Sequence, residues 1–351
     1  MKIIYCEREN PRDIIESILN RIRSLGHEVI YYQLSEREKK LFAIGHFQMY
    51  ESLLDYVQDN GADILFIHDF LNSPEYLLFS LKARPHLKAR VIFSATLRES
   101  YRSLPRALAI KDLLSLDAVA GMFVGSEGLE KIRLPENLLT AGVDVNKIKF
   151  IKEAFPPPYI SPYDREASRK RFGIDKDAFV AVWAGQVTYP KGFDVFLDSL
   201  KYIGDDVTLL LKLDGTRTDF IIGDIYAGVK KAHPNLVVSL FEKDYLYLGD
   251  ADLVICSHKK SYAYSCSGLP ISAALCGLPI VAPDFYYFNE ITTTYKLGEL
   301  FEPENPRALA SAINSVRQNY DDVKSKMKIR EYIDMYDERD SAYTDALKQF
   351  I

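Results

Sequence analysis

Ser265-Cys266-Ser267-Gly268-Leu269-Pro270-Ile271-Ser272-Ala273-Ala274-Leu275-Cys276-Gly277-Leu278-Pro279-Ile280-Val281-Ala282-Pro283 reads as a loop, a short helix, a stop and a buried strand. Ser267 or Gly268 caps the helix, and Pro270 suits its first turn, where a missing N–H costs nothing. Ile271 to Cys276 is too short to be helical alone, so it needs a surface to pack on. Gly277 supplies a left-handed stop, and Leu278 to Ala282 follows as a strand closed by Pro283. The N–H groups and dipole at the capped end suit an anion, although the same spacing serves a purely structural loop.

The same alternation of strand and helix extends outward in both directions. Upstream, Phe179 to Ala184 is a buried strand ended by Gly185. Lys191 follows at the start of a helix whose apolar face is Phe193, Phe196, Leu197 and Leu200. Further strands are Val207 to Leu213, with Lys212 at its end, then Val237 to Leu240 and Asp252 to Cys256. Downstream, Pro306 to Val316 and Asp337 to Phe350 are helices. In the N-terminal half, Lys2–Cys6, His27–Tyr32, Asp63–His68, Arg90–Ser94, Asp117–Val124 and Lys147–Lys152 are strands. Helices fall at Asp13–Leu25, around Phe47 to Val57, and at Ser73–Lys82. This order predicts parallel sheets covered on both faces. Phe155-Pro156-Pro157-Pro158-Tyr159-Ile160-Ser161-Pro162 is stiff and poor in pairing donors, and is read as the interdomain linker. His68 and Asp69 close a strand, where parallel sheets place their ligands; a structural histidine fits His68 equally well.

The 351 residues suffice for two cores. A net charge of −5 gives no basic field for nucleic acid. The cysteines, Cys6, Cys256, Cys266 and Cys276, have no metal spacing and read as small buried residues of a reducing compartment. No D-x-D motif ends a strand, so neither a metal nor a tightly bound cofactor is expected. No apolar run reaches membrane-spanning length, and the first strand leads directly into charge rather than a signal peptide. Cytoplasmic residence is the default. Leu97 to Leu114 carries Arg98, Arg102, Arg106 and Lys111 among leucines. It reads as peripheral contact with the inner face of a membrane or as a core helix with a solvated basic face; Pro105, interrupting the pattern, favours the second.

Several of these segments resemble family-four glycosyltransferases of the GT-B type. Gly185-Gln186-Val187-Thr188-Tyr189-Pro190-Lys191-Gly192-Phe193-Asp194-Val195-Phe196-Leu197 is similar to G-R-L-x-x-x-K-G-x-D-x-L-L. Ala273 to Val281 is close to the end of E-x-F-G-L-P-x-x-E-A-M-A-C-G-x-P-V. Gly26-His27-Glu28-Val29, Asp63 to His68, Ser126-Glu127, Cys256-Ser257 and Asn289 to Pro303 extend the likeness across most of the chain. The resemblance implies an α/β fold of two doubly wound Rossmann-like domains facing across a cleft. Residues 1–155 would form the acceptor-side domain and 163–335 the nucleotide-sugar donor domain, with a helix over 336–351 returning to the first domain. It implies sugar transfer, with retention, from a UDP- or GDP-sugar to a glycan, lipid-linked or protein acceptor. The residues it points to are Lys191 for pyrophosphate, together with Gly185, Gln186, Lys212, Ser267 and Gly268.

Four departures stand against that pattern. Gln186 occupies the arginine position, and Thr96 replaces a histidine. The two family glutamates fall on Ser272 and, depending on the alignment anchor, on Tyr264 or Lys260. A hydroxyl retains one hydrogen bond where a carboxylate would supply charge. These losses support the alternative of a catalytically degenerate GT-B subunit or a nucleotide-binding accessory protein.

Overall fold

A computed structural model of the chain describes residues 1–7, 12–43, 47–68, 74–95, 103–125, 136–151, 165–213, 233, 235–240, 248–262 and 267–350. The described strands pair in parallel in two separate sheets of six. The first contains β1 (Lys2–Glu7), β2 (Glu28–Tyr32), β3 (Ile64–His68), β4 (Arg90–Ala95), β5 (Val119–Gly125) and β6 (Ile148–Ile151), in the order β2-β1-β3-β4-β5-β6. The second contains β7 (Phe179–Gly185), β8 (Val207–Leu213), β9 (Leu236–Leu240), β10 (Leu253–Ile255), β11 (Ile280–Pro283) and β12 (Gly298–Phe301), in the order β12-β11-β10-β7-β8-β9.

Parallel strands need crossovers, and the crossovers bury both sheet faces. The period-two alternation of strand side chains shows this directly. Ile4 and Cys6 of β1, with Leu65 and Ile67 of β3, face a core that includes Tyr50, Leu53, Leu54 and Val57 of α3 (Phe47–Asp59). α4 (Pro74–Lys82) and α5 (Leu104–Ser115) cover the same face. Ile3, Tyr5, Ile64 and Phe66 face the other way, onto Ile18, Leu19 and Ile22 of α1 (Arg12–Ser24) and onto Leu347 and Phe350. Strands buried on both faces read as continuous apolar runs, as the sequence showed.

Several helices were not expected, among them three short ones here and Tyr286–Tyr295 and Tyr320–Lys326 in the C-terminal half. α2 (Glu36–Ala43) is held by a reciprocal cap in which the Ser35 amide and hydroxyl donate to Glu38 at 2.8 and 2.5 Å, and the Glu38 amide donates to Ser35 Oγ at 3.2 Å. α6 (Glu136–Ala141) and α7 (Arg165–Arg171) have one or two turns and little apolar periodicity. Pro105 does not interrupt α5. It lies in the first turn behind the N-cap Ser103, and Leu104 and Leu108 are exposed. Arg98, Arg102 and the linker Phe155–Pro162 lie outside the described residues.

The second sheet is covered by α8 (Phe193–Ser199), α9 (Gly268–Leu275), α10 (Tyr286–Tyr295), α11 (Pro306–Gln318) and α12 (Tyr320–Lys326). Phe193 and Phe196 pack on Trp183, and Leu309, Ile313 and Val316 complete that core. At the start of its strands, Arg169 is 1% exposed and uses its whole guanidinium. It donates to the carbonyls of Asp250, Lys176 and Ala178 and to Asp252 Oδ2 at 2.8 Å, while the Val180 amide donates to the same carboxylate at 2.9 Å. A buried cation is tolerated when it is satisfied in this way.

The chain divides into two compact units. Met1–Pro156 and Asp337–Ile351 make the first, and Pro157–Ala263 with Ser267–Tyr336 the second. α13 (Ile329–Lys348) therefore belongs to both: Tyr332 packs on Tyr295 in the second, whereas Leu347 and then Phe350 complete the first. Phe350 meets the Phe123 ring edge-on at 4.9 Å above Gly121, where any Cβ would collide with it. Phe350→Ala is expected to cost about 3–5 kcal/mol in the first unit. The only tryptophan, Trp183, reports on the second unit, so urea unfolding followed by circular dichroism should shift early while the tryptophan transition moves little.

Candidate active site

In a doubly wound sheet, a crevice opens at the C-terminal strand ends where adjacent strands send their connections to opposite faces. In the second unit this point lies between β7 and β10. β7 ends at Gly185, whose φ of 139° favours glycine, and leads through the exposed Gln186 to a 3-10 turn at Tyr189–Lys191. Lys191 thus precedes α8 instead of opening it: Gly192, at φ 65°, caps that helix. β10 continues into Cys256, Ser257, His258 and Lys259, all buried.

The two connections are clamped to one another. Ser257 Oγ accepts from Trp183 Nε1 at 2.9 Å and donates to the Lys191 carbonyl at 3.0 Å. The Lys259 amide donates to the Pro190 carbonyl at 3.0 Å, and its ammonium reaches Asp194 Oδ2 at 2.5 Å. Gly192 lies so close to the Ser257 carbonyl oxygen that a Cβ could not fit.

The clamp fixes the Lys191 side chain. Its ammonium is 3.2 Å from His258 Nε2 and 3.2 Å from the Tyr262 hydroxyl, to which it donates, and it lies 4.5 Å from the centre of the Tyr262 ring. His258 is 2% exposed and packs between the Tyr262 and Phe288 rings. Burial, and then the neighbouring ammonium, pushes its imidazole well below the usual range. Among the described residues no carboxylate pairs with Lys191. Among the described residues the crevice therefore presents a positive charge without a counter-ion, the condition for binding an anion.

Ser267 caps α9 by accepting from the Leu269 amide at 3.4 Å, and Gly268 opens the helix. Ser272 is buried and its hydroxyl donates to the Gly268 carbonyl at 3.0 Å, which leaves its oxygen able to accept. Lys212 is 5% exposed and bonded to Asp250 Oδ2 at 3.0 Å. The pair is buried at the end of β8. Tyr264 and Asp69 lie outside the described residues, as does Thr96. No group of three His, Cys, Asp or Glu side chains that could hold a metal occurs among the described residues. His258, Tyr262 and Trp183 were not singled out by sequence; a histidine directly after a Cys-Ser strand end was the available signal for the first.

The first unit has its own switch point between β1 and β3. Glu7 and His68 are register partners at the ends of those strands. The buried Glu7 carboxylate accepts from the Tyr5 hydroxyl at 2.6 Å, and His68 Nδ1 is 3.0 Å from Ser94 Oγ. Burial and then Glu7 raise the Tyr31 phenol to about 12. His68 is half-buried, and its strand end lies beside that of Glu7. Glu7 was overlooked although it is the first charge after the apolar run of β1.

The buried imidazoles set a pH dependence. The folded-state pKa of His258 is lowered, so below about pH 6.5 the unfolded chain takes up a proton that the folded chain refuses. Its contribution to stability is complete above that pH and declines below it, by up to about 1.4 kcal/mol per pH unit for one proton. Burial shifts His233 in the same direction. Melting temperatures between pH 8 and pH 5 should fall, and the fall should be shallower in His258→Phe.

Residues 164–334 match the family model described as Glycosyl transferases group 1. No curated protein sequence matches the chain. Among solved structures, HepE of Anabaena in complex with UDP superposes with a TM-score of 0.70 at 15% identity, covering 99% of each chain. Sucrose-phosphate synthase from Thermosynechococcus elongatus gives 0.67 at 14% identity, covering 97% of this chain and 94% of its own. A glycosyltransferase from Rickettsia africae gives 0.65 at 14% identity, covering 99% and 97%. At these identities the likeness establishes a shared fold. A family match over the second unit and a two-sheet likeness over nearly the whole chain agree: residues 164–334 are similar to the glycosyl transferases group 1 family, in a chain with the GT-B fold.

Proposed function

We propose that the protein transfers a hexosyl group from a nucleotide sugar to an acceptor hydroxyl, with the donor's diphosphate bound at Lys191. The observation that carries this reading is the Lys191 ammonium at the β7/β10 switch point, which no carboxylate among the described residues pairs with. Departure of a nucleoside diphosphate builds negative charge on its phosphates, and a pre-positioned cation offsets it without reorganisation. Gly185, Gln186, Ser267, Gly268 and Ser272 line the same reading as donor contacts, and Tyr264 is kept as a candidate from sequence. HepE has been solved with UDP, with UDP and glucose, and with UDP-glucose, which favours a UDP-sugar over a GDP-sugar here. Retention of configuration rests on the resemblance to family-four enzymes alone.

In this reading the second unit serves the donor and the first unit the acceptor. His68, with Ser94 and Glu7 near it, is the group that would meet the acceptor hydroxyl; Asp69 belongs to the same proposal. The acceptor is a glycan, a lipid-linked sugar or a protein. Cytoplasmic residence fits the free thiols of Cys6 and Cys276. No helix among the described residues is long and apolar enough to cross a membrane. Peripheral contact would use the exposed Tyr76 and Phe79 of α4 and Leu104 and Leu108 of α5, beside the exposed Lys82 and Lys111. Sedimentation with anionic vesicles should fall when Phe79 and Leu108 are both changed to serine.

Lys191→Ala should weaken UDP binding by roughly ten- to a hundredfold while the melting temperature stays near that of the wild type, because a charge-assisted bond contributes about 1.5–3 kcal/mol. Titration calorimetry with UDP, GDP and ADP checks both the lysine and the base. If the wild type binds none of them at millimolar concentration, the degenerate-subunit reading replaces this one. Ser272 retains its hydroxyl but no charge, and this is the observation that keeps that second reading open.

A further inference from the structure

We infer that His258 is a positioning residue for Lys191, holding the ammonium in place so that its remaining N–H bond is presented to the diphosphate of a nucleotide sugar. The inference rests on the reading of the β7/β10 crevice as the diphosphate site.

An ammonium has three N–H bonds and no acceptor. Two of those at Lys191 end on His258 Nε2 and the Tyr262 hydroxyl, each at 3.2 Å. Because the ammonium can only donate, Nε2 must carry a lone pair, so the ring is neutral and its proton is on Nδ1. A charged imidazole at this distance would repel the ammonium and offer it no acceptor. Among the described residues Nδ1 has no hydrogen-bond partner, so Lys191 is the only polar contact that orients the ring.

His258 is also rigid enough for this role. It is 2% exposed, with ring centres of Tyr262 at 4.5 Å and Phe288 at 4.8 Å. Its neighbour Ser257 is fixed by Trp183 on one side and by the Lys191 carbonyl on the other. The backbone and the side-chain end of Lys191 are thus both held by the segment Ser257–His258. An unrestrained lysine loses rotamer entropy on meeting a phosphate, and a pre-positioned one has already lost most of it. Neutral partners achieve this without cancelling the charge, which a carboxylate in the same position would do.

The test combines a double-mutant cycle, a rescue and a spectroscopic readout. UDP affinity is measured by calorimetry for wild type, His258→Phe, His258→Gln, Lys191→Ala and the Lys191→Ala/His258→Phe double variant, each confirmed folded by Trp183 fluorescence. His258→Phe keeps a ring but removes the acceptor, and should weaken UDP about tenfold. His258→Gln restores an acceptor and should recover most of that loss. In the Lys191→Ala background, His258→Phe should change UDP affinity by less than about twofold, because nothing is left to position. Nitrogen-15 NMR of the imidazole at pH 7 should show a neutral ring protonated on Nδ1, a preference lost in Lys191→Ala. Wild-type affinity in His258→Phe, an equal loss in both backgrounds, or a charged or Nε2-protonated ring would overturn the inference. If UDP does not bind the wild type at all, the nucleotide-sugar reading fails, and the tautomer and its dependence on Lys191 still decide whether His258 positions the ammonium.

Discussion

The second unit depends on one pairing: β10 runs parallel beside β7, with Leu253 opposite Ala181, Val254 opposite Val182 and Ile255 opposite Trp183. Each strand must leave the sheet by a crossover, and the two crossovers go to opposite sides, so the strand ends cannot close over each other. What fills the gap is the pair of loops at Gln186–Gly192 and Cys256–Tyr262. Gly192 allows their backbones to touch, and the single tryptophan locks Ser257 between them. The position of the Lys191 ammonium therefore follows from strand order before any ligand is considered.

Stability and chemistry are divided between the two ends of the same strands. At the starting end, Arg169 and Asp252 form a saturated buried network with backbone carbonyls and amides. Every donor there has an acceptor, so the ends of β7 and β10 are fixed without help from a ligand. At the finishing end the polar groups are left incomplete among the described residues: an ammonium without an anion and a buried Nδ1 without a partner. Completed polar groups contribute order, and incomplete ones mark where a molecule from outside belongs.

Much of this was legible in the residues. Apolar runs such as Phe179–Ala184 announced strands buried on both faces, and Ser267, Pro270 and Gly277 marked a helix start and stop that the structure reproduces at Gly268–Leu275. Short helices without an apolar stripe, such as Arg165–Arg171, carried no periodic signal; Ser35-Glu36-Arg37-Glu38 did carry a capping pattern for α2. Lys191 stands out because Gly185 to Leu197 resembles a family pattern and because a cation at a helix start is unusual. His258 and Tyr262 could not be joined to it, since they lie 67 and 71 positions away and meet it only through strand order. The Asp250 partner of Lys212 was equally illegible, because no pattern in one dimension reveals that the two meet.

The division of α13 between the two units bears on how the molecule is made. Residues up to 156 leave the ribosome first, but the core around Tyr5, Phe66 and Phe123 lacks Leu347 and Phe350 until the second unit has been synthesised. Domains generally fold in order of emergence. Here the first unit to appear is the last to be completed, and during elongation the part of the face around Phe66 and Phe123 that Leu347 and Phe350 close stays uncovered on a nascent chain. The second unit, whose residues are nearly contiguous, can close its core in the meantime. A nascent chain stalled before position 347 is thus a species with one finished half and one open apolar face, the kind of surface that chaperones bind.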